Sequence, residues 1–139
     1  MIKLIIPGEP CAQGRPRFST AGGCVKAYDP AKSRSYKAFV KLIAVEEMKK
    51  QCWKYTERPL LIRVDAYLTL AKSRSKKFKA DALAGRELPT KKPDVDNLLK
   101  TVMDALSGVL YKDDKQIVDC GVRKYYAEEP RLEVTLYTI

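Results

Sequence analysis

The chain contains no histidine. That absence removes Ser-His and Cys-His nucleophilic pairs and every histidine metal ligand. Acid–base or metal chemistry must then come from carboxylates, lysine, tyrosine or water. Cysteine is sparse: Cys11, Cys24, Cys52 and Cys120 form no CxxC pair, so a zinc site would need all four isolated thiols. The simpler reading is four reduced thiols, some of them in the core. Long apolar runs are missing as well. None approaches the roughly 20 residues of a membrane-spanning helix, and the run at residues 2–6 is stopped by Pro7-Gly8, too soon for the apolar region of a secretion signal. We read that run as a strand and expect a cytoplasmic protein with no membrane partner.

What is present is positive charge. The 139 residues carry a formal net charge of +10, which calls for an acidic partner, nucleic acid first and an anionic membrane surface second. The length suits one domain, residues 1–139. An apolar fraction of 45% can build a core without staples.

The pattern along the chain has no internal repeat and no low-complexity tract. After the first strand comes a Gly/Pro-rich loop, CAQGRPRFSTAGGCVKAYDP, with a short strand at 25–28. A helix follows over 30–51, with Asp29 as N-cap and Pro30 at its first position. Its apolar residues Tyr36, Phe39, Val40, Ile43 and Ala44 recur at three-and-four spacing and predict one buried face. Trp53, just beyond, reads as core. LLIRVDAYLTL at 60–70 alternates strictly and is the clearest strand. AKSRSKKFKADALAG contains a short helix that stops near Gly85. Val95, Leu98, Leu99, Val102, Ala105 and Leu106 share a helical face closed by Gly108. Two strands, 117–126 and 132–137, flank AEEPR, a separation that fits an antiparallel hairpin. The sum is a mixed α/β, or α+β, domain.

Into this basic chain KKPDVDNLLK, residues 91–100, sets two aspartates at i, i+2. Pro93 biases Lys92 toward extended backbone, so Asp94 falls at the helix start and Asp96 in its first turn. The structural explanation is strong, because Asp caps orphan N–H groups and complements the helix dipole there. Asp96, Lys100 and Asp104 then follow at i, i+4 spacing, which also suits a surface ion-pair ladder. The chemical explanation becomes available if the turn YKDDKQ doubles back and returns Asp113 and Asp114 to the helix start, a return that spacing alone does not establish. Two or three converging carboxylates would make an oxygen-only magnesium site completed by phosphate oxygens. Lysines and arginines would then attract the phosphate backbone while the aspartates hold the cation that activates water.

These residues carry a resemblance. DVDNLLK at 94–100, DAL at 104–106 and DDKQIV at 113–118 resemble, in order and spacing, the core motif of the RusA family of Holliday junction resolvases. GRPRF at 14–18, YDP at 28–30 and PRLEV at 130–134 extend a weaker likeness, to the branch found in Gram-positive bacteria and their phages, over nearly the whole chain. The resemblance implies a RusA-like fold, a mixed sheet packed with helices. It implies a homodimeric, magnesium-dependent endonuclease, with manganese as a substitute metal and no small-molecule cofactor, that nicks four-way DNA junctions symmetrically in recombination and repair. It implies Asp94, Asp96 and Asp114 as catalytic metal-binding carboxylates, with Lys100 beside them. Asp113 ranks as a supporting residue and Asn97 as an orienter; Asp104 reads as a structural partner for Lys100.

Candidate DNA contacts are Arg15 and Arg17 in the early loop, with Phe18 beside them, the cluster Lys72, Arg74, Lys76, Lys77 and Lys79, and the approach residues Lys91 and Lys92. Tyr125 and Tyr126 fit either packing or DNA contact. Two rival readings stand beside the resolvase: a non-catalytic nucleic-acid-binding module whose aspartates only cap a helix, and a broader nuclease for flaps and other branched DNA.

Overall fold

In the computed structural model, which describes residues 1–12, 17–19, 26–28 and 31–139 (17–19 and 26–28 as backbone only), the elements follow in chain order. They are β1 (Ile2–Pro7), β2 (Arg17–Ser19), β3 (Lys26–Tyr28), α1 (Ala31–Lys50), β4 (Leu60–Thr69), α2 (Lys76–Leu83), α3 (Val95–Leu106), β5 (Ile117–Ala127) and β6 (Arg131–Thr138). A 3-10 turn, Asp114–Gln116, leads into β5. The α+β class expected from the element order is the one observed. Asp29 and Pro30, the expected N-cap and first helical position, lie outside the described residues, as do Cys24 and Val25.

Four strands form one sheet in the order β1-β6-β4-β5, and β2 and β3 make a separate antiparallel pair. The expected hairpin between the last two strands does not form. β5 runs parallel to β4, from Leu61↔Asp119 to Thr69↔Ala127, while β6 lies antiparallel on the other edge of β4 and also pairs with β1. The correction has a simple physical basis. Glu128, Glu129 and Pro130 must carry the chain past the end of β4, two inter-strand steps of about 4.8 Å each. Three extended residues at about 3.3 Å each can do that. A short polar link therefore does not by itself specify a hairpin.

One face of the sheet is the core. Leu60, Ile62, Val64 and Ala66 of β4, Leu132, Val134 and Leu136 of β6, and Ile2, Leu4 and Ile6 of β1 are all buried against Val40 and Ala44 of α1 and Leu98, Val102, Ala105 and Leu106 of α3. Each fully buried aliphatic side chain contributes about 1.5–3 kcal/mol, so α3 is held by its inward stripe. On α1 the buried residues are Ser33, Val40 and Ala44. Phe39, expected on that face, is instead 39% exposed, because the inward line runs at three-and-four steps from Ser33 through Val40 to Ala44 and leaves residue 39 about 100° away. Trp53 packs against the core as expected, its indole N–H donating to the Leu110 carbonyl at 3.0 Å. Cys11, Cys52 and Cys120 are unpaired thiols, none of them buried, so the expected core placement fails for the three that are described.

The other sheet face carries paired polar and aromatic groups. Glu133 accepts from Lys3 at 2.9 Å and from Arg131 at 3.2 Å. The Arg131 guanidinium lies 3.8 Å from the Tyr67 ring centroid, and Tyr67 stacks on Tyr125 with centroids 5.2 Å apart. No helix among the described residues is long and apolar enough to cross a membrane.

Candidate active site

The site is built along α3. Asp94 occupies the N-cap position in extended conformation, φ −76° and ψ 150°, yet its side chain makes no capping hydrogen bond. Its backbone carbonyl receives the Leu98 N–H at 3.0 Å, which starts the helix. Capping therefore does not account for the carboxylate of Asp94. Asp96 is exposed in the first turn, where Oδ1 accepts the Asn97 N–H at 2.9 Å. Both carboxylates sit at the positive end of the helix dipole, where negative charge is stabilised. Asn97 is half-buried, and its carbonyl accepts from the Thr101 hydroxyl at 2.9 Å.

One turn further, Lys100 and Asp104 pair at 2.9 Å. Asp104 does more than the i, i+4 spacing predicts, because its other oxygen binds the Lys37 ammonium of α1 at 3.3 Å. Lys37 and Asp104 are largely shielded, with side chains 15% and 25% exposed, while Lys100 is 61% exposed. Lys37 is a member of this cluster that no local sequence signal could have identified, since its contact with Asp104 is made across the helix–helix interface.

α3 ends at Gly108, whose φ of +81° is a left-handed conformation suited to glycine. The chain then turns inward. Leu110 and Tyr111 are fully buried, and Tyr111 forms backbone bridges with both Thr56 and Ser107. The two aspartates that follow have different tasks. Asp113 closes a capping box: its carboxylate accepts the Lys115 N–H at 3.0 Å, and Gln116 Oε1 accepts the Asp113 N–H at 2.8 Å. Gln116 also donates to the carbonyls of Thr56 and Arg58, each at 3.0 Å. Asp114 is half-buried and accepts from the Tyr111 hydroxyl through Oδ1 at 3.0 Å. Burial, then the charge and hydrogen bond of Asp114, push the Tyr111 phenol well above its ordinary range, so it stays a hydrogen-bond donor. The pattern could have flagged Tyr111 as an apolar-run residue, but not as the partner of Asp114.

The turn places Asp114 beside the Met103 carbonyl, which is 3.3 Å from the same Tyr111 hydroxyl. Asp94 and Asp96 lie at the opposite end of α3, about 13 Å and about 10 Å of helical rise away from Met103. Among the described residues no three Asp, Glu, Cys or His groups stand together at metal-holding distance. The donor chemistry nevertheless suits a hard cation. Every candidate is a carboxylate, Asp94 is not committed to capping, and magnesium takes only one or two protein carboxylates when phosphate and water supply the rest.

Basic residues border the helix start. The Lys91 ammonium donates to the Thr69 carbonyl at 3.1 Å and lies 5.7 Å from the Tyr126 ring centroid. Lys124, which the sequence did not single out, donates to the Lys91 carbonyl. Tyr126 meets Phe78 edge-on at 5.8 Å, and Arg74 covers the Phe78 ring at 4.4 Å. Ser75 caps α2 by accepting the Phe78 N–H at 3.1 Å. Lys72, Arg74, Lys76, Lys77 and Lys92 are exposed, and Lys79 is half-buried with its ammonium on the Lys72 carbonyl at 3.1 Å. The expected basic cluster is thus tied through Phe78, Tyr126 and Lys91 to the segment that leads into Asp94. Arg15 lies outside the described residues, and Arg17 and Phe18 are described only as backbone of β2.

Comparison with known proteins gives two matches. The model of a family described as endodeoxyribonuclease RusA matches residues 7–137. A Bacillus subtilis (strain 168) protein, "Uncharacterized protein YqaN", is 46% identical over 137 residues, covering 97% of this chain and 94% of that protein.

Proposed function

Because the chain belongs to the RusA family of endodeoxyribonucleases, we propose that it resolves four-way DNA junctions by magnesium-assisted hydrolysis of the phosphodiester backbone. The observation that carries this reading is the N-cap aspartate that does not cap. Asp94 stands where helix capping would explain it fully, and its side chain makes no such bond. This counts against the non-catalytic module, whose aspartates would be there to cap.

Asp94 and Asp96 are the residues that would hold a divalent cation at the start of α3; Asp114, the third acidic residue of the motif, stands beside Met103 at the other end of that helix. A bound cation supplies charge neutralisation at the scissile phosphate and lowers the pKa of an attacking water. Lys100, held by Asp104, offers positive charge to the phosphate on the same helical face as Asp96. The exposed lysines and arginines of residues 72–79, with Lys91 and Lys92, contact the backbone of the junction arms. A homodimer would match the near two-fold symmetry of the substrate, and the work would be part of recombination and repair in the cytoplasm.

The test uses an end-labelled four-way junction and a linear duplex with the same arms, each incubated with the protein with and without magnesium and resolved on a gel. Paired symmetric nicks in the junction alone, and only with magnesium, are the expected result. Cleavage of both substrates would replace the reading with a broader nuclease. Binding without cleavage under magnesium or manganese would overturn the catalytic reading.

A further inference from the structure

The Asp94 carboxylate makes no capping bond, so its place is set by the backbone on either side of it. On the α3 side that backbone is fixed, because the Asp94 carbonyl accepts the Leu98 N–H at 3.0 Å. On the other side lies the approach segment. Among the described residues, positions 88–93 belong to no helix or strand and make no backbone–backbone hydrogen bond. Pro89 is buried, and the polar tethers of the segment are gathered at Lys91.

The sheet grips Lys91 at both ends. Its carbonyl accepts from the Lys124 ammonium. Its own ammonium donates to the Thr69 carbonyl at 3.1 Å and lies 5.7 Å from the Tyr126 ring centroid. Lys124 and Tyr126 stand at i, i+2 on β5 and so share one face of that strand. Thr69 ends β4, in register with Ala127 of β5, and Tyr126 is braced edge-on by Phe78 of α2. Both lysines thus end on backbone carbonyls. An ammonium on a carboxylate would pair two side chains, whereas an ammonium on a carbonyl holds main chain. Lys124 is half-buried on its strand and Lys91 is exposed, so Lys124 is the firmer anchor.

We propose that Lys124 is a positioning residue for strand cleavage, its ammonium holding the Lys91 carbonyl and thereby the main chain that delivers Asp94 to the start of α3. This rests on the reading above that Asp94 takes part in cleavage. Lys92 and Pro93 alone separate Lys91 from Asp94, and the ring of Pro93 fixes its φ, so a shift at Lys91 is passed on rather than absorbed. Misplacing a catalytic group by about 1 Å costs about 10²-fold in rate. A lysine that only touched phosphate would act instead on affinity and its salt dependence.

The experiment compares wild type, Lys124→Gln, Lys124→Arg and Asp94→Asn, each as the full chain, on the end-labelled four-way junction. Two quantities are read: the cleavage rate at saturating junction with magnesium, and junction affinity at several salt concentrations without it. The thermal midpoint is a control on folding. For Lys124→Gln the saturated rate is expected to fall about tenfold to hundredfold, with affinity within about threefold of wild type and the salt slope unchanged. Lys124→Arg keeps a cationic donor on a long stem and is expected to recover most of the rate. A wild-type saturated rate in Lys124→Gln overturns the proposal. So does a loss confined to affinity with a salt slope lower by about 0.9, the mark of a phosphate contact. Asp94→Asn separates the two levels: wild-type cleavage by that variant means the reading of Asp94 itself is wrong. Inactivity of Asp94→Asn beside a wild-type rate in Lys124→Gln means that only the lysine was misassigned.

Discussion

Lys37 of α1 and Asp104 of α3, 67 residues apart in the chain, meet at 3.3 Å between Nζ and Oδ2. The same carboxylate holds Lys100 through Oδ1 at 2.9 Å. One aspartate thus ties the helix that carries Asp94 and Asp96 to the helix packed beside it, and it orients Lys100.

Replacing Asp104 by Asn should therefore have two effects. Charge-assisted hydrogen bonds at a largely shielded site are lost, which should lower stability by about 1–3 kcal/mol, read from urea unfolding. Lys100 also loses its tether, so the cleavage rate should fall while junction affinity stays close to wild type. An unchanged unfolding midpoint together with an unchanged rate would remove Asp104 from both roles.

Asp94→Asn should separate folding from chemistry cleanly. The side chain makes no capping bond, and asparagine is itself a favoured N-cap residue, so stability should stay within about 0.5 kcal/mol of wild type. Cleavage should be lost, while binding to the junction stays equal or becomes tighter because one negative charge near phosphate has gone. The same split is expected for Asp96→Asn. Gel-shift and cleavage assays on one preparation decide it, and wild-type cleavage by both variants would end the catalytic assignment.

The exposed cluster on α2 should act on DNA through charge alone. Lys76→Gln and Lys77→Gln should each weaken junction binding and reduce the slope of log affinity against log salt by about 0.9 for every phosphate contact removed. Binding curves at several salt concentrations measure this. A slope equal to that of wild type in the double variant would show those lysines to be simply solvated.

Glu133 gives a pH-dependent prediction. Burial pushes its carboxyl upward, but the hydrogen bond and charge of Lys3 and the charge of Arg131 outweigh burial and leave it below the usual 4.5. A depressed carboxyl stabilises the fold above its unfolded value and loses that contribution as pH falls through the folded one. Glu133→Gln should cost about 1 kcal/mol at pH 7, and the difference from wild type should shrink as pH falls below about 4.5. Urea unfolding across that range checks the sign; a gap that widens toward acid would contradict it.

Much of this fold could be read locally. Alternation at residues 60–70 becomes β4, and the three-and-four spacing from Leu98 to Leu106 becomes the buried stripe of α3. Gly85 and Gly108 stand at the helix ends with positive φ. Each of these signals depends on a side chain and its near neighbours, and such periodicities survive into the folded state because one face must be buried. The ordered blocks DVDNLLK, DAL and DDKQIV likewise needed no structure to be noticed.

Other features were decided by contacts between distant segments. The order β1-β6-β4-β5 depends on which edges of β4 are taken, and a short link between β5 and β6 is compatible with both outcomes. Whether Asp94 caps its helix, and which of Asp113 and Asp114 is used by the turn, follow from side-chain geometry that spacing does not contain. Lys37 and Tyr111 joined the site only when α1 packed on α3 and the chain turned inward after Gly108. The sequence by itself determined the elements, the charge and the motif, because those are properties of neighbouring residues. The tertiary structure alone decided the strand order and the partners of each carboxylate, because hydrogen bonds and ion pairs between remote segments exist only once burial has brought those segments together.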